Sequence, residues 1–239
     1  MRVVAVGDAE PGKLMQCCAR EASSDQRERV SHVAYSSALT AALSGASENQ
    51  LANWRRAPNA LLVPEYSGSG RVRYSFRDLL ALRTVAKLRK EVSLQKIRKA
   101  VTTLKGLGDF RHLSNYTLVA IGDTIVWVQE GQAVDVVKRP GQQMLATMQD
   151  ILGEFEGWTG TVVPLEQPKP GLRINPRVLG GFPVIDETRV PYDTVASLAA
   201  DGLDPQGIRY FYPSVTDLGV SGAVAFEQYV SEYGRRRAA

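Results

Sequence analysis

The sequence predicts a mainly α protein with small β pieces: a winged helix-turn-helix, a short antiparallel β meander, and a C-terminal tri-helical domain of helix-turn-helix type. Three observations carry this expectation. Apolar residues recur at intervals of 3 to 4 through 35–105 and again through 193–233, the pattern of helices with one buried face. Between about 116 and 137 the period drops to 2, the repeat of a half-buried strand. Basic charge also gathers in one place: residues 35–110 hold 13 Lys and Arg against 5 Asp and Glu, whereas the whole 239-residue chain has 29 against 25. Such concentration in a near-neutral chain is the electrostatic footprint of a polyanionic partner.

Composition sets the outer bounds. With 44% hydrophobic and 23% charged residues the chain reads as an ordinary globular protein. No run approaches the roughly 18–20 apolar residues of a membrane span, and residues 1–30 lack the apolar core of a signal peptide, so no membrane partner and a cytoplasmic location are expected. The only cysteines, Cys17 and Cys18, are adjacent, and the two histidines, His32 and His112, are far apart. That excludes a disulfide framework and a spaced set of zinc ligands, and neither a metal nor a cofactor is expected.

Residues 1–34 are poor in large apolar groups after Met15 and read as a mobile N-terminal arm. The DNA-binding unit is expected over 35–108. Leu39, Ala42 and Leu43 share a helix face, and Gly45 interrupts it where a turn must reverse the chain. Ser47 is a good N-cap, with Gln50 three residues on as its capping-box partner. The second helix runs to about Arg56, with Leu51 and Trp54 inward and Gln50, Asn53, Arg55 and Arg56 outward. Residues 60–64 and 72–75 read as the two strands of a wing, joined through Gly68 and Gly70. Ser75 caps a helix carrying Leu79, Leu82, Val85 and Leu88 on one face and Arg77, Arg83, Lys87, Arg89 and Lys90 on the other. Ser93 opens a further helix ended by Gly106 and Gly108.

Residues 109–160 are expected to hold a three-stranded meander, with turns at Gly122-Asp123 and Gly131-Gln132, followed by a helix over 142–154. Prolines 164, 168 and 170 mark 161–172 as a stiff linker between domains. The C-terminal domain, 173–239, is expected to contain helices over 193–201, 204–212 and 216–233, and to end in the basic tail Arg235, Arg236 and Arg237.

Gln50 and Asn53 are residue types that pair bidentately with adenine in the major groove, and Arg55 or Arg56 suits guanine or a phosphate. Arg71, Arg73 and Tyr74 on the wing suit phosphates or the minor groove, and Tyr74 equally suits a core anchor. Asp186, Glu187 and Asp193 form the one carboxylate cluster suggestive of a metal. No histidine accompanies it, and Arg189 lies among these residues as a neutralising partner. Nothing pairs a nucleophile with a base, so no catalytic residue is expected and the chain is not read as an enzyme.

Two stretches carry a family likeness. Gln50-Leu51-Ala52-Asn53-Trp54, Val63-Pro64, Gly70-Arg71-Val72-Arg73-Tyr74-Ser75, Asp78-Leu79-Leu80 and Ser93-Leu94-Gln95-Lys96-Ile97 resemble the MerR-type winged-helix DNA-binding domain. Gly180-Gly181, Pro183-Val184-Ile185, Thr188-Arg189-Val190-Pro191 and Tyr212-Pro213-Ser214-Val215-Thr216 resemble a small helical domain of bacterial antitoxins. Together they resemble the mycobacterial VapB-type antitoxins, which are encoded beside PIN-domain ribonuclease toxins. The resemblance implies operator binding by the first domain and neutralisation of a cognate PIN-domain toxin by another part of the chain; a homodimer that autorepresses its operon is expected, because one winged-helix unit makes too few contacts for high specificity. Arg235, Arg236 and Arg237 are candidates for approaching the toxin's acidic cleft. The long dimerising helix of MerR regulators is missing, with the meander in its place, and so is any cysteine sensor. The alternative is a ligand-responsive MerR-like transcription regulator with the meander as its pocket.

Overall fold

The computed structural model describes residues 34–56, 60–67, 71–106, 117–121, 124–129, 132–135, 143–144 and 152–235. The mobile-arm expectation for residues 1–34 lies outside them except at Ala34, which is buried, and Cys17, Cys18, His32, His112, Arg236 and Arg237 also lie outside.

The chain is mainly helical, with small antiparallel sheets. Helix α1 (Ser37–Ser44) begins where Ser36 Oγ accepts the Leu39 amide at 3.2 Å and ends at Gly45, whose φ of +82° gives the left-handed cap that glycine adopts without strain. Helix α2 (Glu48–Trp54) has the expected capping box, Ser47 with Gln50. Leu51 and Trp54 are buried, as the spacing predicts.

Strands β1 (Tyr66–Ser67) and β2 (Val72–Arg73) form the wing, in the register Tyr66 to Arg73 and Ser67 to Val72. The strand expected at 60–64 does not form. Leu61 and Leu62 are buried instead, the Leu61 amide donating to Trp54 O at 2.7 Å. Residues 66–67 stand nearer the glycine turn, so pairing there closes a shorter loop.

Helix α3 (Phe76–Glu91) and helix α4 (Leu94–Gly106) follow. Strands β3 (Thr117–Ile121), β4 (Thr124–Gln129), β5 (Gln132–Asp135) and β6 (Gln143–Met144) make a four-stranded antiparallel meander that packs on α3 and α4. The helix expected over 142–154 is corrected at both described ends. Gln143 and Met144 pair with Val134 and Ala133, and 152–154 are not helical. Pairing satisfies the exposed edge of β5, which outweighs local helical preference. A hairpin, β7 (Phe155–Glu156) with β8 (Thr161–Val162), comes next; the period-2 signal of two-residue strands is too short to read.

The proline-marked segment is not a free linker. Val162, Val163, Leu165 and Leu172 are buried in a core that runs without a break from Tyr35 to Tyr233. Its prolines stiffen a strap whose apolar residues face inward. Strands β9 (Leu172–Arg173) and β10 (Val184–Ile185) pair across a turn, then come α5 (Tyr192–Ala200), α6 (Pro205–Phe211) and α7 (Asp217–Arg235), close to the three expected helices. Asp204 caps α6 by accepting the Gly207 amide at 2.7 Å, and Thr216 Oγ1 accepts that of Gly219 at 3.1 Å at the start of α7. Helix α7 packs on both α5 and α1. A Cβ at Gly222 would collide with the Pro170 carbonyl, so only glycine lets α7 lie this close to the strap.

Arg83 departs furthest from expectation. The spacing puts it on the solvated basic face, yet it is 0% exposed. Helix α3 is covered on one side by α1 and on others by the meander and the strap, so it has buried residues around most of its circumference. The guanidinium donates to Leu43 O, to Val163 O at 2.9 Å and to Gly153 O at 2.6 Å, and its Cζ lies 4.9 Å from the Phe155 ring centre. Burial lowers its pKa to about 10, an effect countered by the Tyr229 and Tyr233 hydroxyls. Its five donors suit several carbonyls at once, which lysine could not match.

Candidate nucleic-acid interface

The interface is built from α2 and the wing, and buried hydrogen bonds set the geometry of both. Tyr35 and Tyr74 exchange backbone bonds, Tyr35 N to Tyr74 O at 2.8 Å and Tyr74 N to Tyr35 O at 3.0 Å, tying the wing to the segment that leads into α1. Asp78 is fully buried and accepts two amides at 2.9 Å each, from Ser75 at the start of α3 and from Glu65 at the start of the wing. One carboxylate thus fixes both ends of the hairpin. Ser75 Oγ accepts the Asp78 amide at 3.0 Å, completing a capping box. Arg77 pairs with Glu65 at 3.3 Å on the outer surface.

Arg55 Nη1 donates to the Tyr74 hydroxyl at 3.1 Å, joining the end of α2 to the base of the wing. Tyr74 is therefore a core anchor; at 1% exposed it offers no surface to DNA, a correction of its wing-contact reading. Burial raises its pKa, while the adjacent Arg55 lowers it. Gln50 is partly committed, because its Oε1 accepts the Ser47 amide at 2.9 Å and leaves the amide nitrogen to donate. Asn53, Arg56 and Arg71 are exposed, and Arg73 is half-buried on β2. The structure thus sorts the expected residues into an outer set, Asn53, Arg56, Arg71 and Arg73, and a positioning set, Gln50, Arg55 and Tyr74.

Asp78 and Arg83 are the residues that sequence reasoning missed. For Arg83 a signal was present: it is the only charge in the apolar run 79–86, Leu-Leu-Ala-Leu-Arg-Thr-Val-Ala. For Asp78 the signal was Ser75 three residues before it.

The C-terminal segment presents different chemistry. Residues 192–235 hold six acidic and two basic side chains. Asp186 pairs with Arg173 at 2.9 Å rather than with the expected Arg189. Among the described residues no group of three or more His, Cys, Asp or Glu is gathered as metal ligands would be. Arg235 lies in the last turn of α7. Among the described residues, no helix is long and apolar enough to cross a membrane.

Two families match parts of the chain. Residues 35–104 match the MerR HTH family regulatory proteins, and residues 172–226 match a family described as a protein of unknown function (DUF433). The first match supports a DNA-binding transcription regulator. No curated protein matches the chain. The X-ray structure of Rv2018 from Mycobacterium tuberculosis is similar over 80% of this chain and 96% of that one, at 15% identity and a TM-score of 0.45.

Proposed function

We propose that this chain is a non-enzymatic antitoxin and autorepressor. Its winged helix binds operator DNA as a homodimer, and its C-terminal segment neutralises a cognate PIN-domain ribonuclease toxin. The observation that supports the DNA half most directly is the locked pairing of α2 and wing through Arg55–Tyr74 and Asp78. With those groups holding the frame, Asn53 and Arg56 are left for base edges or phosphates and Arg71 and Arg73 for the phosphate backbone. The toxin half rests on the antitoxin-like motifs of 180–191 and 212–216 and on the net acidic character of residues 192–235, which suits a protein better than a phosphate backbone.

The test has two arms. Purified protein is titrated onto duplex DNA from upstream of its own gene, against a scrambled duplex of equal length, and it is co-expressed with the product of the neighbouring reading frame. Specific binding together with a co-purifying, inhibited ribonuclease is the expected result. Equal affinity for both duplexes would remove the operator role, and a neighbour that neither binds nor cleaves RNA would remove the antitoxin role.

A ligand-responsive regulator is the second reading. A cavity of about 570 Å³ favours it, lined by Phe76 and Leu80 of α3 together with Leu165, Arg173 and Ile174. It opens between the winged helix and the C-terminal segment rather than in the meander, and its volume is that of a small-molecule site.

A further inference from the structure

The corner between α6 and α7 is apolar on the outside. Tyr210 is 82% exposed, Phe211 61% and Leu218 58%, and the two aromatic rings stand edge to face with centres 5.3 Å apart. Neighbouring side chains in the same segment, Ile208, Val215 and Val220, are buried, so the exposed three are extra to the core. Large exposed aromatics are the residue types that anchor protein interfaces. Within 209–218 the only charges are Arg209 and Asp217, which pair with each other at 3.3 Å. The corner therefore has no net charge to attract phosphates or to repel an identical surface.

We propose that this corner is the contact through which a second copy of the chain docks, two-fold symmetrically. The occupant follows from charge and symmetry. A two-fold axis beside the Arg209–Asp217 pair brings the pairs of both copies into one four-charge cluster, Arg209 of each copy next to Asp217 of the other, with the apolar side chains packed around it. The inference rests on the DNA-binding reading, because a seven-residue α2 with one wing makes too few base contacts for high specificity and works in pairs on a palindromic site. Among the described residues of 109–160 there is no helix that could pair two copies, and the α6–α7 corner supplies the contact instead.

Light scattering across a concentration series tests this on the full chain. The wild type is expected near 52 kDa, twice the 26.1 kDa chain. The Y210A/F211D double variant is expected at the monomer mass, its dissociation constant weakened at least about 100-fold, as for the loss of two interface anchors. Its circular dichroism should be unchanged. A charge exchange gives an independent reading. R209D makes the corner acidic and D217R makes it basic, so each variant alone self-associates more weakly, whereas an equimolar mixture recovers the dimer through cross-copy pairs. A wild type that is monomeric throughout, a Y210A/F211D chain that remains dimeric, or a mixture that fails to recover the dimer would overturn the proposal. A monomeric wild type that keeps salt-dependent DNA binding would sink the corner and leave the DNA reading intact. A corner-dependent dimer that ignores DNA would do the reverse.

Discussion

The two matched segments are held together by different means. Among the described residues, the buried polar or charged side chains are Thr40, Ser44, Ser75, Asp78, Arg83 and Thr84, all within the winged-helix segment. The C-terminal segment is packed instead by a run of rings: Phe182, Tyr192, Phe226, Tyr229 and Tyr233, each within about 6 Å of the next, with Tyr35 reaching Phe182 from the other segment. Hydrogen bonds are directional and ring packing is less so. A unit that must hold a helix and a wing at a fixed angle uses buried polar groups for that purpose. The ring-packed unit relies mainly on volume and burial.

Between them lies a seam that uses both. Arg83 grips carbonyls of α1, the loop before β7, and the strap. The Tyr35 hydroxyl donates to Gly181 O, and the Tyr229 hydroxyl donates to Ala42 O at 2.9 Å. A Cβ at Gly181, where φ is +89°, would come within 2.5 Å of the Phe76 ring. The segments are consequently expected to unfold together.

The largest effect is expected from Phe226→Ala. It opens a void in the ring-packed core and should cost about 3–5 kcal/mol in chemical denaturation. If the seam couples the segments, both lose structure in one transition; two separate transitions would show that they fold independently. Next is Arg83→Met, which keeps volume but strands three buried carbonyls, an expected loss of about 2–3 kcal/mol. A variant as stable as the wild type would return Arg83 to the solvated face. A smaller effect sharpens the contrast at high pH. Burial raises the pKa of Tyr35 and of Tyr192 above the ordinary tyrosine value of 10.0. The folded chain then holds those protons after the unfolded chain has released them, so stability is level below pH 10 and falls above it. Arg83 acts in the opposite sense, because its lowered pKa lets the folded chain release that proton first, but it is one group against two. A Y35F/Y192F chain should show a shallower alkaline fall, read from the denaturation midpoint at pH 9 and pH 11.

Much of this was legible in the sequence where the signal is local. Capping residues Ser47 and Ser75, the glycine cap at 45, and the 3-to-4 repeats of α3, α4 and α7 follow from nearest-neighbour chemistry. What was hidden depends on tertiary cover. Arg83 looks like a surface charge until the strap lies over it, and residues 161–172 look like a linker until Val163 and Leu165 are seen to be buried. Gln143 and Met144 read as helix until β5 offers them a partner. In the candidate interface the residue types were legible, but the division of labour was not. Whether Tyr74 faces DNA or Arg55 depends on the two-residue wing that turns it inward.

On the proposed function, DNA is met by the winged helix and not by the C-terminal segment. The salt dependence of DNA affinity tests it most directly, compared between an R71A/R73A chain and an R177A/R189A chain, which loses exposed C-terminal arginines. R71A/R73A is expected to lower the slope of log affinity against log salt by about 2, at about 0.9 per phosphate contact, and R177A/R189A to leave it unchanged. An unchanged slope in R71A/R73A, or a loss confined to R177A/R189A, would contradict it.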